Sequence, residues 1–461
     1  MLQDIFSGKK ALFADGVQTV LRAHENRNRR VVLLKGNLVS NSRSSGRGIS
    51  ARVNNNGTFG FASIADYTSE AADKVIKAAT ENAGFLAGHS GRSVALPPSY
   101  GTGMIPLNDE IRDAEQKLII EACKTVDEYV EKNCPGLTSR TIVYTEDSQE
   151  RIIYTSDAYD GHLVTPRCYM YVILNAESAD GVPVELFKAL GGYGSFFDNF
   201  ADVSKYFPDI DELYKKVMDK KEGVYAEAGY KTVVLGGMMG GMLAHEAVGH
   251  TVEADLVKGG SVAGPSLNKR VASDLVNMVD FAHTYDGKPA PLPVFMDDEG
   301  TKAVDDVLIK DGILTGYMND RETALEFGME PTGNARGWAF TDEPIIRMRN
   351  TCILPGTNSV EELIASVDDG YYLIDSGNGQ ADLTGEFMFG VTCGYEIKNG
   401  KLGKALLDTT VTGVAFEMLK TVDMVSDSVE WSSSGFCGKK QPMAVGMGGP
   451  HMRCKIMIGG R

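Results

Sequence analysis

No run of about 18 apolar residues occurs anywhere in this 461-residue chain, which argues against a membrane-spanning helix and against a membrane partner. Cysteine is scarce. Seven are spread over positions 123, 134, 168, 352, 393, 437 and 454, with no CxxC pair. An odd, thin usage of this kind excludes a disulfide framework and suits a reducing compartment. Positive charge is also in deficit, with 46 Lys and Arg against 62 Asp and Glu, a formal net charge of -16. No basic block is long enough to override that balance, so a phosphate backbone is repelled and direct nucleic-acid contact is not expected. The first residues, Met1 to Phe6, lack a basic segment followed by an apolar run of signal-peptide length, and a cytoplasmic location is the expectation.

What is present is the composition of a folded protein, 43% hydrophobic and 23% charged, which excludes wholesale disorder. The length exceeds what one core supports, so several domains are expected. An amphipathic stretch over 17–24 is followed by β-rich runs at 31–34 and 49–53. Asn54-Asn55-Asn56-Gly57 then separates the second run from Thr58-Phe59-Gly60-Phe61, a hairpin signal because Asn and Gly accept the positive φ of a tight turn. Apolar residues at three- and four-residue spacing predict helices over 69–86 and 107–131, with a polar Pro/Gly linker over 88–106 between them. β-type runs follow at 141–144, 151–155 and 169–174, then a charged helix over 210–222. After Tyr230 the texture changes to a buried-strand candidate, Lys231-Thr232-Val233-Val234-Leu235, a glycine-rich step, and then short β-runs separated by Gly, Asn and Asp.

The fold class that follows is α+β. An N-terminal α/β region of antiparallel sheets flanked by helices splits into subdomains at 1–90 and 107–222. A larger β-rich domain over 225–461, barrel- or sandwich-like, carries the histidine motif on a helix.

The chemistry concentrates in His245-Glu246-Ala247-Val248-Gly249-His250. Two imidazoles on one helix make half of a zinc site, and a carboxylate beside the first can take a proton from a metal-activated water. In the familiar short zinc-peptidase motif the second His lies four residues on, offset by about 40° around the helix. Here the spacing is five, about 140° on a regular helix, which would aim the rings apart. One wide turn with i→i+5 bonding restores a common face, and such turns occur mostly at functional sites. Gly249, lacking a Cβ, eases the distortion. A local irregularity between Ala247 and His250 is therefore predicted. Histidines in an apolar helix also serve as core hydrogen-bonding groups, but two of the chain's seven flanking one Glu fit a metal better.

A catalytic zinc takes three protein ligands and keeps one position open. The third is left open by the spacing: Glu253 and Asp255 are near in sequence, and Cys437 in Gly435-Phe436-Cys437-Gly438-Lys439 is the distant candidate, its thiolate favoured by the flanking lysine. Asn334 and Arg336 could clasp a peptide main chain, or only tie a Gly-rich turn together. Trp338 and Phe340 suit either a site wall or a core. His451 and Cys454, three apart and without partners, read as structural.

Several blocks resemble the TldD/PmbA family of peptidases, in its metal-retaining TldD-type branch. They are Leu243 to His250, Glu330-Pro331-Thr332-Gly333-Asn334-Ala335-Arg336, Arg347-Met348-Arg349-Asn350-Thr351, Gly435 to Lys439, and Gly379 through Leu419. The resemblance implies His245, His250 and Cys437 as Zn²⁺ ligands and Glu246 as general acid/base. It also implies a homodimer, or a heterodimer with a metal-less paralogue, around a chamber that admits unfolded polypeptide as an added β-strand. After Cys437 the family usually continues with a Gly-Gln pair, whereas Lys439-Lys440-Gln441-Pro442 here is shorter, which alters the rim.

The function expected is a zinc-dependent peptidase acting on unfolded polypeptides or small peptides. The alternatives are a metal-dependent amidohydrolase of a modified peptide and a partner subunit of a heteromeric protease. The intact His-Glu-His set argues against the last.

Overall fold

The computed structural model describes residues 5–90, 96, 101–178 and 180–459. A long hairpin, Gln18–Leu34 with Asn37–Asn55, begins the N-terminal half. It continues into Thr58–Ile64 through the predicted two-residue turn, with Asn55 opposite Thr58 and Asn56 at φ 50°. On its other side the hairpin pairs with Ser139–Thr155, from Val20 opposite Thr155 to Leu34 opposite Thr141. Regions 1–90 and 107–222, expected as separate subdomains, thus share one eight-stranded sheet. The strand 18–34 is hard to read from sequence because one of its faces is polar and yet buried: Arg22, His24 and Asn26 alternate with Leu21 and Ala23.

Helices Ser69–Ser90, Gln116–Asn133 and Phe207–Lys221 cover the apolar face of this sheet. Val31, Leu33, Ile142, Tyr144, Val172, Leu174 and Leu186 pack with Ile119, Val126, Ile210 and Val217 of the last two. The second helix starts at Gln116 and not at Leu107. Asn108 both donates to and accepts from the Val164 backbone, and a side chain that satisfies nearby backbone competes with helix.

In the C-terminal half, Gly229–Leu235, Asp369–Ala381, Glu386–Lys398, Thr409–Val414 and Gly446–Ile458 pair in that order. The last returns to the first, from Gly229 opposite Ile458 to Leu235 opposite Met452, so the five strands close a barrel and leave no free edge within it. Further strands extend from Gly446–Ile458, beginning with Asn350–Ile353 in parallel. The helical segment after Leu235 is buried in the barrel core, where Met239, Leu243, Ala244, Ala247, Val248 and Val252 join Val233, Leu373, Phe389 and Met452. It can approach that closely because it meets the last strand backbone to backbone. A Cβ on Gly240 would stand 2.8 Å from the Pro450 carbonyl oxygen, and one on Gly449 2.6 Å from the Gly240 carbonyl carbon.

The two halves are joined by buried charge. Asp298 accepts from Arg22 at 2.8 Å and from Arg151 at 3.0 Å, and Arg22 also donates to the carbonyls of Ala339 and Asp342. Among the described residues no helix is long and apolar enough to cross a membrane.

Candidate metal centre

Leu243–Gly249 is a wide helical turn, and the backbone N–H of His250 donates to the carbonyl of His245 across five residues. The irregularity includes the expected stretch from Ala247 and begins four residues before it, at Leu243. Gly249 has no alternative there, since a Cβ would meet Met348 Sδ at 2.3 Å and the Ala244 carbonyl oxygen at 2.9 Å. The turn brings the rings of His245 and His250 to 5.1 Å between centroids, at 76° to one another.

Cys437 arrives from a short strand, Phe436–Cys437 paired with Met443–Ala444. Its Sγ lies 3.3 Å from His250 Nε2. One ligand atom each from His245, His250 and Cys437 lie within 4.8 Å of one another, the sole such group of at least three among the described residues. Zn–N bonds of about 2.05 Å and a Zn–S bond of about 2.3 Å at tetrahedral angles separate nitrogen and sulfur by about 3.5 Å, which the His250–Cys437 contact nearly matches. Neither ring nitrogen of the buried His245 has a hydrogen-bond partner among the described residues, an arrangement that is costly for a core histidine and natural for a ligand. The donor set, two imidazoles and a thiolate, suits zinc.

The carboxylate of Glu246 faces both imidazoles, with Oε1 3.9 Å from His245 Nε2 and Oε2 3.7 Å from His250 Nε2. Its side chain is 25% exposed while that of His245 is 1% exposed, so the acid opens to solvent and the ligand does not. Burial works against charge on both Cys437 and His250, but their neighbours outweigh it. The imidazoles of His245 and His250 draw the thiol down to about 4, and Cys437 with Glu253 pushes His250 up to about 10.

Three residues hold this geometry. Buried Glu253 accepts from His250 Nδ1 at 2.7 Å, which leaves Nε2 facing Cys437. Burial raises the pKa of Glu253, and His250, Lys439 and Arg347 outweigh that to hold it below the ordinary carboxylate range. Lys439, two residues after Cys437, bridges Glu253 at 3.3 Å and Asp255 at 2.7 Å. Arg347, fully buried, donates to the carbonyls of Cys437, Lys439 and Gln441. From the N-terminal sheet, Tyr169 donates to the Ser433 carbonyl at 2.7 Å and Tyr171 to that of Ser434 at 2.9 Å.

Residues 228–460 match the family profile described as the PmbA/TldA metallopeptidase C-terminal domain, and 20–83 match domain 1 of the same family. A metalloprotease of Methanothermobacter thermautotrophicus is 31% identical over 95% of each chain. The chain belongs to the TldD/PmbA family of metallopeptidases. The zinc metalloprotease TldD homolog of Saccharolobus solfataricus is 30% identical over 80% of this chain and 81% of its own. In fold, this family member superposes on TldE from Thermococcus kodakarensis with a TM-score of 0.78 at 18% identity, over 99% of each chain. A Thermotoga maritima protein described as a putative modulator of a DNA gyrase gives 0.76 at 17%, again over 99% of each.

Not every candidate reaches the centre. Asn334 and Arg336 are interior: Asn334 donates to Asp280 and the Arg347 carbonyl, and Arg336 to the carbonyls of Met348 and Ala444. Both side chains are buried and these bonds tie them to the fold, while Arg336 Nε has no partner among the described residues, so the turn-tying alternative is the one this geometry fits. Trp338 is half-buried and meets the exposed Phe436 edge-on at 5.1 Å between centroids. His451 accepts or donates with the Tyr372 hydroxyl at 2.8 Å, a structural partner. The roles of Lys439 and Arg347 carry no signal in spacing, whereas Glu253, three residues beyond His250, is a legible candidate for orienting it.

Proposed function

We propose that this chain is a zinc-dependent peptidase of unfolded polypeptides or small peptides, with His245, His250 and Cys437 as ligands and Glu246 as general acid/base. The observation that carries the reading is the convergence of two imidazoles and a thiol within one ion's reach, with a solvent-open carboxylate beside them. When bound there, Zn²⁺ supplies Lewis acidity to a scissile carbonyl and to an attacking water. Glu246 takes the water's proton on a carboxylate oxygen and delivers it to the leaving amine nitrogen. Glu253 keeps the proton of His250 on Nδ1, so that Nε2 presents its lone pair. Arg347 and Lys439 fix the strand that brings the thiolate.

This reading places the enzyme in the cytoplasm, as a dimer with itself or with a metal-less paralogue. Replacing Glu246→Gln tests the chemistry. Zinc is retained at full stoichiometry while cleavage of an unfolded polypeptide falls by at least about 100-fold. Undiminished cleavage would remove Glu246 from the mechanism.

A further inference from the structure

One face of the N-terminal sheet is covered by helices, and the opposite face is only partly used. Near Arg22, His24 and Asn26 that second face docks on the C-terminal half, where Asn26 donates to the Trp338 carbonyl. Farther along the same strands it is more open, with Tyr169 and Val143 buried on it and Arg30, Leu34 and Phe187 exposed. In-register pairing places Ser42, Arg30, Thr145, Tyr169 and Gly191 in one row across the face. A second row holds Val32, Val143, Tyr171 and Ala189, and a third Leu34, Thr141, Ile173 and Phe187. Paired residues project to the same side of a sheet. Tyr169 and Tyr171, which hold Ser433 and Ser434, therefore share a face with Arg30 and with the apolar end.

That face has the chemistry of a binding surface. Leu34 is 42% exposed and Phe187 51%, with Val32 and Ile173 half-buried between the strands. Arg30 is exposed and has no acidic partner among the described residues, whereas Arg167 on the same face is paired to Asp147. The cross-strand neighbours of Arg30 are Ser42, flanked by Ser40 and Ser44, on one strand and Thr145 on the other. An exposed cation beside a row of serines, bordered by exposed apolar side chains, is complementary to an extended chain carrying a carboxylate. Arg30 and Tyr169 are two strands apart, about 10 Å, and Ser433 lies four residues before Cys437, so the surface runs up to the metal loop.

We propose that this open face receives the substrate chain, apolar side chains on Leu34, Ile173 and Phe187 and an acidic side chain on Arg30, so that the enzyme selects unfolded segments rich in both. The inference rests on the peptidase reading for what is bound, but its test does not require cleavage. In the Glu246→Gln protein, fluorescence anisotropy follows a labelled structureless peptide with a Leu-Asp-Phe segment and a twin with Asn in place of Asp. Arg30→Gln weakens the Asp peptide about fivefold and leaves the Asn twin unchanged, and Arg30→Lys restores most of the difference. Phe187→Ser weakens both peptides. Equal affinities for the two peptides, or variants that bind as the parent does, overturn the proposal. So does a Phe187→Ser change that lowers the sedimentation coefficient without altering binding, which assigns the face to self-association. Arg30-dependent binding together with absence of cleavage by the zinc-loaded protein that retains Glu246 would sink the peptidase reading and leave this surface standing.

Discussion

Glu253 and His250 form the pair on which the centre's orientation turns: the buried carboxylate lies 2.7 Å from Nδ1, on the opposite side of the ring from the Cys437 sulfur. The same carboxylate is 3.3 Å from Lys439, so one group steers a ligand on the helix and ties down the strand that brings another.

Glu253→Gln keeps the shape and removes the charge. Zinc affinity, measured by competition with a chromophoric chelator, falls 10- to 100-fold, the range typical when a ligand's supporting partner is altered. Unchanged affinity would mean that Glu253 only fills space.

Arg347→Met removes a donor shared by the carbonyls of Cys437, Lys439 and Gln441, of which that of Lys439 also accepts from the Gln441 N–H. Leaving buried carbonyls unpaired costs about 1 to 3 kcal/mol each, and the Lys439 carbonyl keeps its backbone donor, so urea unfolding of the metal-free protein shifts by roughly 2 kcal/mol or more. Zinc is also lost at chelator concentrations the parent tolerates. Normal metal retention in a destabilised protein would confine Arg347 to the fold.

The domain junction predicts a pH dependence. Burial raises the pKa of Asp298, but Arg151 and Arg22 outweigh it and hold the carboxyl far below its ordinary range. A carboxyl depressed in the folded state stabilises above its unfolded pKa of about 3.9 and loses that contribution as pH falls. Unfolding free energy therefore declines below about pH 4. Asp298→Asn costs about 3 to 5 kcal/mol at pH 7 and flattens the acid limb. An acid limb as steep in the variant as in the parent would assign it to other carboxyls.

How much of this was legible in the sequence depended on how local the cause is. Five-residue histidine spacing with Gly249 carries its own geometric demand, and the wide turn appears where that demand falls. Asn56-Gly57 likewise specifies a two-residue turn regardless of surroundings. The strand 18–34 hides, because Arg22 and Asn26 are buried against Asp298 and Trp338, partners about 300 positions away that no periodicity reveals. The helix expected from Leu107 yields its first turns to the bonds of Asn108 with Val164. Cys437 is 187 residues from His250. Local chemistry makes it one candidate among three, and only the family resemblance singles it out. Asn334 and Arg336 mislead for the opposite reason, since residues able to clasp a peptide main chain clasp the protein's own.

Zinc K-edge X-ray absorption on the zinc-loaded protein tests the central claim most directly. A shell containing one sulfur at about 2.3 Å together with two imidazoles, and loss of that sulfur in Cys437→Ser, is the predicted result. A shell of nitrogen and oxygen alone in the unaltered protein would contradict it.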